Sequence, residues 1–130
     1  MKYWIQRADF SAEDLEAVSP AELCSAFERH DWAGEERFRQ SLESEGKEWC
    51  PPGFGLVPDD GRLLHICPGD KGSAQYHYHY PERRRVLGII PLQREARITW
   101  DGSTARACEA IELFVAQRHE ELIDHSRRVV

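Results

Sequence analysis

The chain has 130 residues, of which 41% are hydrophobic and 31% are charged, and its formal net charge is −6. This composition is typical of one globular domain, residues 1–130, and differs from that of a disordered or membrane protein. The first residues, Met1–Arg7, contain no apolar signal-peptide core, and no apolar run reaches the roughly 18 residues of a membrane-spanning helix. We therefore expect a cytoplasmic protein without a membrane partner.

The N-terminal segment predicts a short strand followed by a helix. Residues Lys2–Arg7 alternate between apolar and polar side chains, as a half-buried strand does. Ser11 is a candidate N-cap for the helix, with Asp14 at its third position. Phe10 and Leu15 could form the hydrophobic staple across that cap.

Two further helices are predicted from their capping residues. Ser19 precedes Pro20, and Glu22 follows three positions after the serine, which is close to a complete capping box. Asp31 is the candidate cap of the next helix, which is expected to run to Gly46.

After residue 50 the pattern changes to an antiparallel meander of four or five strands and then a long helix. The candidate strands are Gly55–Val57, Arg62–Cys67, Gln75–Tyr80, Arg85–Ile90 and Ala96–Trp100. Asp101 and Gly102 are expected to turn the chain into the last helix, capped by Ser103 or Thr104. Its apolar stripe contains Cys108, Ile111, Phe114, Val115 and Leu122. The predicted fold class is α+β, with this helix packed on one sheet face.

The four cysteines do not indicate a disulfide framework or a nucleophile. Cys24, Cys50, Cys67 and Cys108 lie far apart in a chain without an export signal, so four reduced thiols are expected. Cys50 follows a predicted helix instead of preceding one. At the C-terminal end of a helix the dipole does not activate a thiolate. A serine nucleophile elbow is also absent from the sequence. The sequence thus predicts no catalytic residue and no enzyme.

A possible metal site involves two strands that follow one another in the sequence. His65 and Cys67 share one strand face, as do His77 and His79. If the connecting loop spans residues 68–76, His65 lies opposite His79 and Cys67 opposite His77. Imidazole and thiolate together suit Zn²⁺.

Other interpretations of this cluster remain open. The spacing matches no standard zinc motif, and a one-residue change of register would scatter the ligands. An amphipathic strand, with Tyr76, Tyr78 and Tyr80 inward and the histidines outward, explains the same pattern. A partner-binding role for the outer face is a further alternative. From sequence we expect no stoichiometric zinc and no cofactor.

The charge distribution points to a basic protein partner. Residues 1–50 contain 12 acidic and 6 basic residues, whereas residues 51–130 contain 11 of each. An acidic field repels nucleic acid and accelerates encounter with basic proteins. Candidate partner-binding residues on the third predicted helix and its exit are Trp32, Glu35, Glu36, Arg39, Glu43 and Trp49. The alternatives are tryptophans that pack on the domain itself, and exposed helix charges that only maintain solubility.

Several segments resemble a family of small bacterial proteins. They are Glu45–Gly55, Asp60–Pro68, His77–Tyr80 and the pair Leu87-Gly88. Together they are similar to immunity proteins encoded beside secreted polymorphic toxins, such as type VI effectors. The resemblance covers about residues 31–125, and its motifs are turns and strands.

This resemblance implies that the chain protects a cell by binding a toxin. Because this chain shows no signal peptide, the toxin that it inhibits would act in the cytosol, where nucleic acid is a common target. Nuclease domains tend to be basic, so an acidic inhibitor can be steered onto the active cleft. The leading hypothesis is therefore a cytosolic inhibitor of a basic toxin domain. The alternative is a zinc-binding domain, with or without enzymatic activity, centred on His65, Cys67, His77 and His79.

Overall fold

A computed structural model describes residues 1–86 and 90–128, with the side chains of 83–86 and 90–93 left aside. In this part of the chain, four helices accompany a six-stranded antiparallel sheet of order β2-β1-β3-β4-β5-β6, which confirms the α+β class. The strands are β1 (Lys2–Gln6), β2 (Ala12–Glu16), β3 (Gly53–Leu56), β4 (Leu63–Pro68), β5 (Ser73–Val86) and β6 (Ile90–Ser103). The helices are α1 (Pro20–Arg29), α2 (Trp32–Ser44), α3 (Ala107–Val115) and α4 (His119–Arg127).

The first predicted helix is wrong, because residues Ala12–Glu16 form strand β2 on the edge of the sheet. Ser11 does not cap a helix. Its backbone N–H and its hydroxyl both donate to Oδ1 of Asp9, at 3.0 and 2.5 Å. Phe10 adopts φ 70°, and the N–H of Arg7 donates to the carbonyl of Ser11. These bonds close a tight turn that brings β2 against β1.

The caps of the next two helices are confirmed. The Ser19 hydroxyl accepts the N–H of Glu22 at 3.2 Å, and Pro20 occupies the first helical position. Asp31 accepts the N–H of Gly34 at 2.9 Å and begins α2. Local capping chemistry was sufficient for both predictions.

The C-terminal part differs from the prediction at two points. Asp101 and Gly102 lie within β6, paired with β5, and do not form a turn. The long final helix is two helices, because Gln117 adopts a left-handed φ of 59° between them. Ser103 and Thr104 lead into a short 3₁₀ turn and do not cap α3 through their side chains. The candidate strand Arg85–Ile90 includes residues 87–89, which lie outside the described residues.

Helices α1, α3 and α4 contribute the core residues that pack on one face of the sheet. The largest buried side chains there are Leu23, Phe54, Leu56, Leu64, Ile66, Tyr76, Tyr78, Ile111, Phe114 and Leu122. Alternation places the neighbouring residues of the same strands on the opposite face. Among the described residues, no helix has both the length and the apolar character needed to cross a bilayer.

Candidate functional site

At its centre, the sheet face that points away from the core presents histidine and cysteine side chains. His65 and Cys67 of β4 project from this face, next to His77 of β5. The ligand atoms of these three residues all lie within 4.8 Å of one another. Cys67 is buried, and both histidines are partly buried. This group, His65, Cys67 and His77, is called the His–Cys–His cluster below.

The distances within this cluster suit a tetrahedral metal. Sγ of Cys67 lies 3.6 Å from Nε2 and 3.7 Å from Nδ1 of His65. Zinc bonds of about 2.0–2.1 Å to nitrogen and about 2.3 Å to sulfur place two tetrahedral ligands roughly 3.5 Å apart. The imidazole rings of His65 and His77 are inclined at 29° to each other, with centroids 5.7 Å apart. The separation of Cys67 and His65 is thus close to that of two ligands of one ion, and the ligand atom of His77 lies within 4.8 Å of both.

The register between β4 and β5 differs from the predicted one by two residues. His65 lies opposite His77, and Leu63 lies opposite His79. A shift by two keeps the histidines and Cys67 on the same face, because strand side chains alternate with a period of two. His79 lies outside the cluster, and its Nδ1 is 3.1 Å from Oε1 of Glu95.

Three residues that sequence analysis did not select support the cluster. The indole of Trp4 stacks on His65, with ring centroids 5.6 Å apart. Gly53 and Gly55 of β3 leave room for these rings, since a Cβ at Gly53 would lie 2.4 Å from Nε2 of His65. A Cβ at Gly55 would lie 1.8 Å from the Trp4 ring. A Gly-x-Gly pattern within a strand is the sequence signal that could have indicated this close approach.

A hydroxyl orients the third member of the cluster. Nδ1 of His77 lies 3.2 Å from Oγ1 of Thr99 on β6. If Nδ1 donates its proton to that hydroxyl, Nε2 keeps a free lone pair. Partners of this kind set the tautomer of metal-binding histidines.

The electrostatic surroundings keep the cluster uncharged at neutral pH. Burial, followed by the charges of His77 and His79, lowers the pKa of His65 to about 4. Burial, followed by the charge of Cys50, raises the pKa of the Cys67 thiol to about 11. Burial also lowers the pKa of His77. The imidazoles are therefore in the neutral form that binds metals, and a bound cation would favour the thiolate.

Two of the six predicted partner-binding residues, Trp32 and Glu35, make contacts within the domain itself. The indole N–H of Trp32 donates to the carbonyl of Phe27 at 2.8 Å, and the ring packs on Phe27 and His30. Glu35 is only 6% exposed, and its Oε1 accepts from Nε of Arg7 at 3.1 Å. The expectation that Glu35 is an exposed helix charge is thus wrong. Its carboxylate contacts residues at the ends of β1 and α1 and so links both elements to α2.

The other four predicted residues form a continuous surface on α2 and the segment after it. The guanidinium of Arg39 binds both carboxylate oxygens of Glu36 and reaches Glu43 at 2.8 Å. It also lies 4.6 Å from the ring centroid of Trp49, which is 36% exposed. The hydrogen bonds to Glu36 raise the pKa of Arg39, so the cation is permanent. The structure therefore brings Glu36, Arg39, Glu43 and Trp49 together.

The acidic excess of the first 50 residues lies mainly at the surface. Ten of the 12 acidic residues there are exposed, the exceptions being Glu35 and Glu36. Glu43, Glu45 and Glu48 are exposed and close in sequence to Trp49. The surface formed by Glu36, Arg39, Glu43, Glu45, Glu48 and Trp49 is called the acidic Trp49 surface below. Comparison with known protein families, curated protein sequences and solved structures finds no match.

Proposed function

We propose that this protein is a cytosolic, non-catalytic inhibitor of the immunity-protein type, which binds a basic toxin domain through the acidic Trp49 surface. A nuclease is the proposed toxin, since nuclease domains expose basic clefts that an acidic protein can cover. The observation that carries the proposal is an exposed aromatic side chain, Trp49, whose ring contacts Arg39 and which lies in the acidic part of the chain, close in sequence to the exposed Glu43, Glu45 and Glu48.

Trp49 has the properties of an interface anchor. It is a large hydrophobic side chain that remains 36% exposed, and Arg39 lies over its ring. Tryptophan and arginine are enriched among the residues that dominate binding energy at interfaces. The ion pairs of Arg39 with Glu36 and Glu43 hold the guanidinium in place before a partner binds. A prearranged pair loses less conformational entropy on association.

Charge reversal tests the electrostatic part of this proposal. The variant Glu43→Lys, Glu45→Lys, Glu48→Lys is compared with Asp59→Lys, Glu112→Lys, Glu120→Lys, in which three exposed acids of the neutral part change. Both variants undergo the same change in net charge. Because Glu43→Lys also removes an ion pair of Arg39, the effect of location alone is taken from Glu45→Lys, Glu48→Lys compared with Glu112→Lys, Glu120→Lys. The binding partner is the protein encoded by the reading frame adjacent to this gene, measured by surface plasmon resonance at two salt concentrations.

We expect the first variant to associate more slowly and to lose most of its salt dependence, while the matched control changes less. Trp49→Ala should act mainly on dissociation and cost about 2 kcal/mol of binding free energy. Co-expression with the same toxin tests whether protection follows binding. If the first variant binds and protects as well as the wild type, this surface is not the interface and the proposal fails.

A further inference from the structure

We propose that the His–Cys–His cluster is a zinc site in which His65, Cys67 and His77 hold one Zn²⁺ ion on the outer face of the sheet. The sequence disfavoured zinc because the ligands converge only in a suitable register. The structure has such a register: His65 lies directly opposite His77, and Cys67 follows two residues later on the same face of β4. This site shares no residue with the acidic Trp49 surface, and it does not depend on the proposed inhibitor function.

The ligand set selects the metal. Two neutral imidazoles and one thiolate suit a borderline-soft divalent ion, whereas calcium and magnesium require oxygen ligands. In the part of the chain that the structure describes, the cluster contains no fourth histidine, cysteine or carboxylate. The three ligands thus leave one tetrahedral position for a water molecule or for a ligand outside the cluster, an arrangement typical of open zinc sites.

The surroundings of the cluster are preorganised for such an ion. Two ligands belong to β4 and one to β5, and both strands lie inside the sheet, so the backbone spacing is rigid. Trp4 restrains His65 by stacking, and Thr99 lies within hydrogen-bonding distance of Nδ1 of His77. Removing contacts that orient a metal ligand in this way commonly lowers metal affinity by roughly 10–100-fold.

The test uses full-length protein purified without a histidine tag. Bound metal is quantified in the purified protein, and the metal-free form is then titrated with Zn²⁺ and, separately, with Co²⁺. We expect about one equivalent of zinc. The cobalt form should show a thiolate-to-metal charge-transfer band in the near ultraviolet, which requires a cysteine ligand.

Substitutions assign the ligands. Cys67→Ser should abolish the charge-transfer band, and His77→Ala should weaken zinc binding more than tenfold. Thr99→Val should weaken it roughly 10–100-fold without removing the band. His79→Ala is the matched control, since His79 lies on the same strand and face but outside the cluster. It should bind zinc as the wild type does.

Circular dichroism of each metal-free variant shows whether the sheet is retained. If a variant fails to fold, cysteine alkylation of the folded wild type supplies the readout, because bound zinc should protect Cys67 from modification and its removal should end that protection. Wild-type protein that binds no zinc when titrated would overturn the proposal. So would zinc binding that persists in Cys67→Ser or is lost in His79→Ala.

Discussion

At the scale of single residues, the fold contains buried polar groups that its packing leaves without hydrogen bonds. His125 of α4 is 2% exposed between the rings of Tyr76 and Trp100. Neither of its ring nitrogens makes a hydrogen bond of good geometry: the polar groups nearest to the ring are the backbone of Arg106 and a carboxylate oxygen of Glu109, which lies 3.8 Å from Nε2. Burial, followed by the charge of Arg106, lowers its pKa, so the neutral ring is the folded form.

This histidine should make stability depend on pH. The folded pKa lies below the ordinary value of 6.5, so the unfolded chain takes up a proton first as the pH falls. The contribution of His125 is therefore complete above pH 6.5 and is lost as the pH falls towards the folded pKa. The charged groups that face the ring are Glu109, Arg106 and Arg128, and burial raises the pKa of the neighbouring Tyr76 to about 12.

The test is the variant His125→Gln, which cannot take up a proton in this range. The loss of unfolding free energy between pH 8 and pH 5, measured by urea denaturation, should be smaller in the variant than in the wild type. Measurement at pH 8, where histidine is neutral in both states, separates the cost of the substitution itself. Equal losses in both proteins would show that His125 does not contribute.

At the scale of elements, the break between α3 and α4 depends on one left-handed residue. Gln117 adopts φ 59°, and the N–H groups of Gln117 and Arg118 donate to the carbonyls of Phe114 and Leu113. These bonds satisfy the end of α3 in the manner of a glycine-terminated helix. A side chain in this conformation costs roughly 1–2 kcal/mol, which glycine avoids.

Gln117→Gly should therefore stabilise the protein by about 0.5–1 kcal/mol, after allowing for the entropy of glycine in the unfolded chain. The matched control is Gln40→Gly, because Gln40 is also exposed but lies within α2. The control should destabilise the protein by about 1 kcal/mol. Thermal and urea unfolding report both values, and a destabilised Gln117→Gly would contradict the helix break.

At the scale of the whole molecule, the sheet has two differently used faces. One face packs against α1, α3 and α4, and the other carries the His–Cys–His cluster. The cluster exists only when β4 and β5 are paired, so zinc should bind the folded chain in preference to the unfolded chain. Binding and folding are then thermodynamically linked.

Zinc should increase the unfolding free energy of the wild type by about 2.7 kcal/mol when free zinc exceeds its dissociation constant 100-fold. The unfolding midpoint should rise accordingly. His79→Ala should show the same increase, whereas Cys67→Ser should show little. Differential scanning calorimetry with and without zinc provides the measurement. A midpoint in wild-type protein that does not move with zinc would contradict a site formed by the fold.

Much of the fold follows from local chemistry, but the segment after Ser11 does not. The caps at Ser19 and Asp31 were predictable because one side chain satisfies one helix terminus. Ser11 has the same capping chemistry, yet the segment after it pairs with the edge of β1. In the turn between the two strands, the Ser11 hydroxyl donates to the carboxylate of Asp9 instead. Where a helix cap and a turn compete, the long-range pairing determines the outcome.

By itself, the sequence determined the α+β class, α1 and α2, the acidic excess of residues 1–50, and the shared face of His65 and Cys67. Those properties depend on composition, capping and the period of a strand. Only the tertiary structure decided that His65 faces His77 and that Glu35 is buried against Arg7. Register and burial depend on contacts between residues distant in sequence, whose free energies a local pattern does not contain.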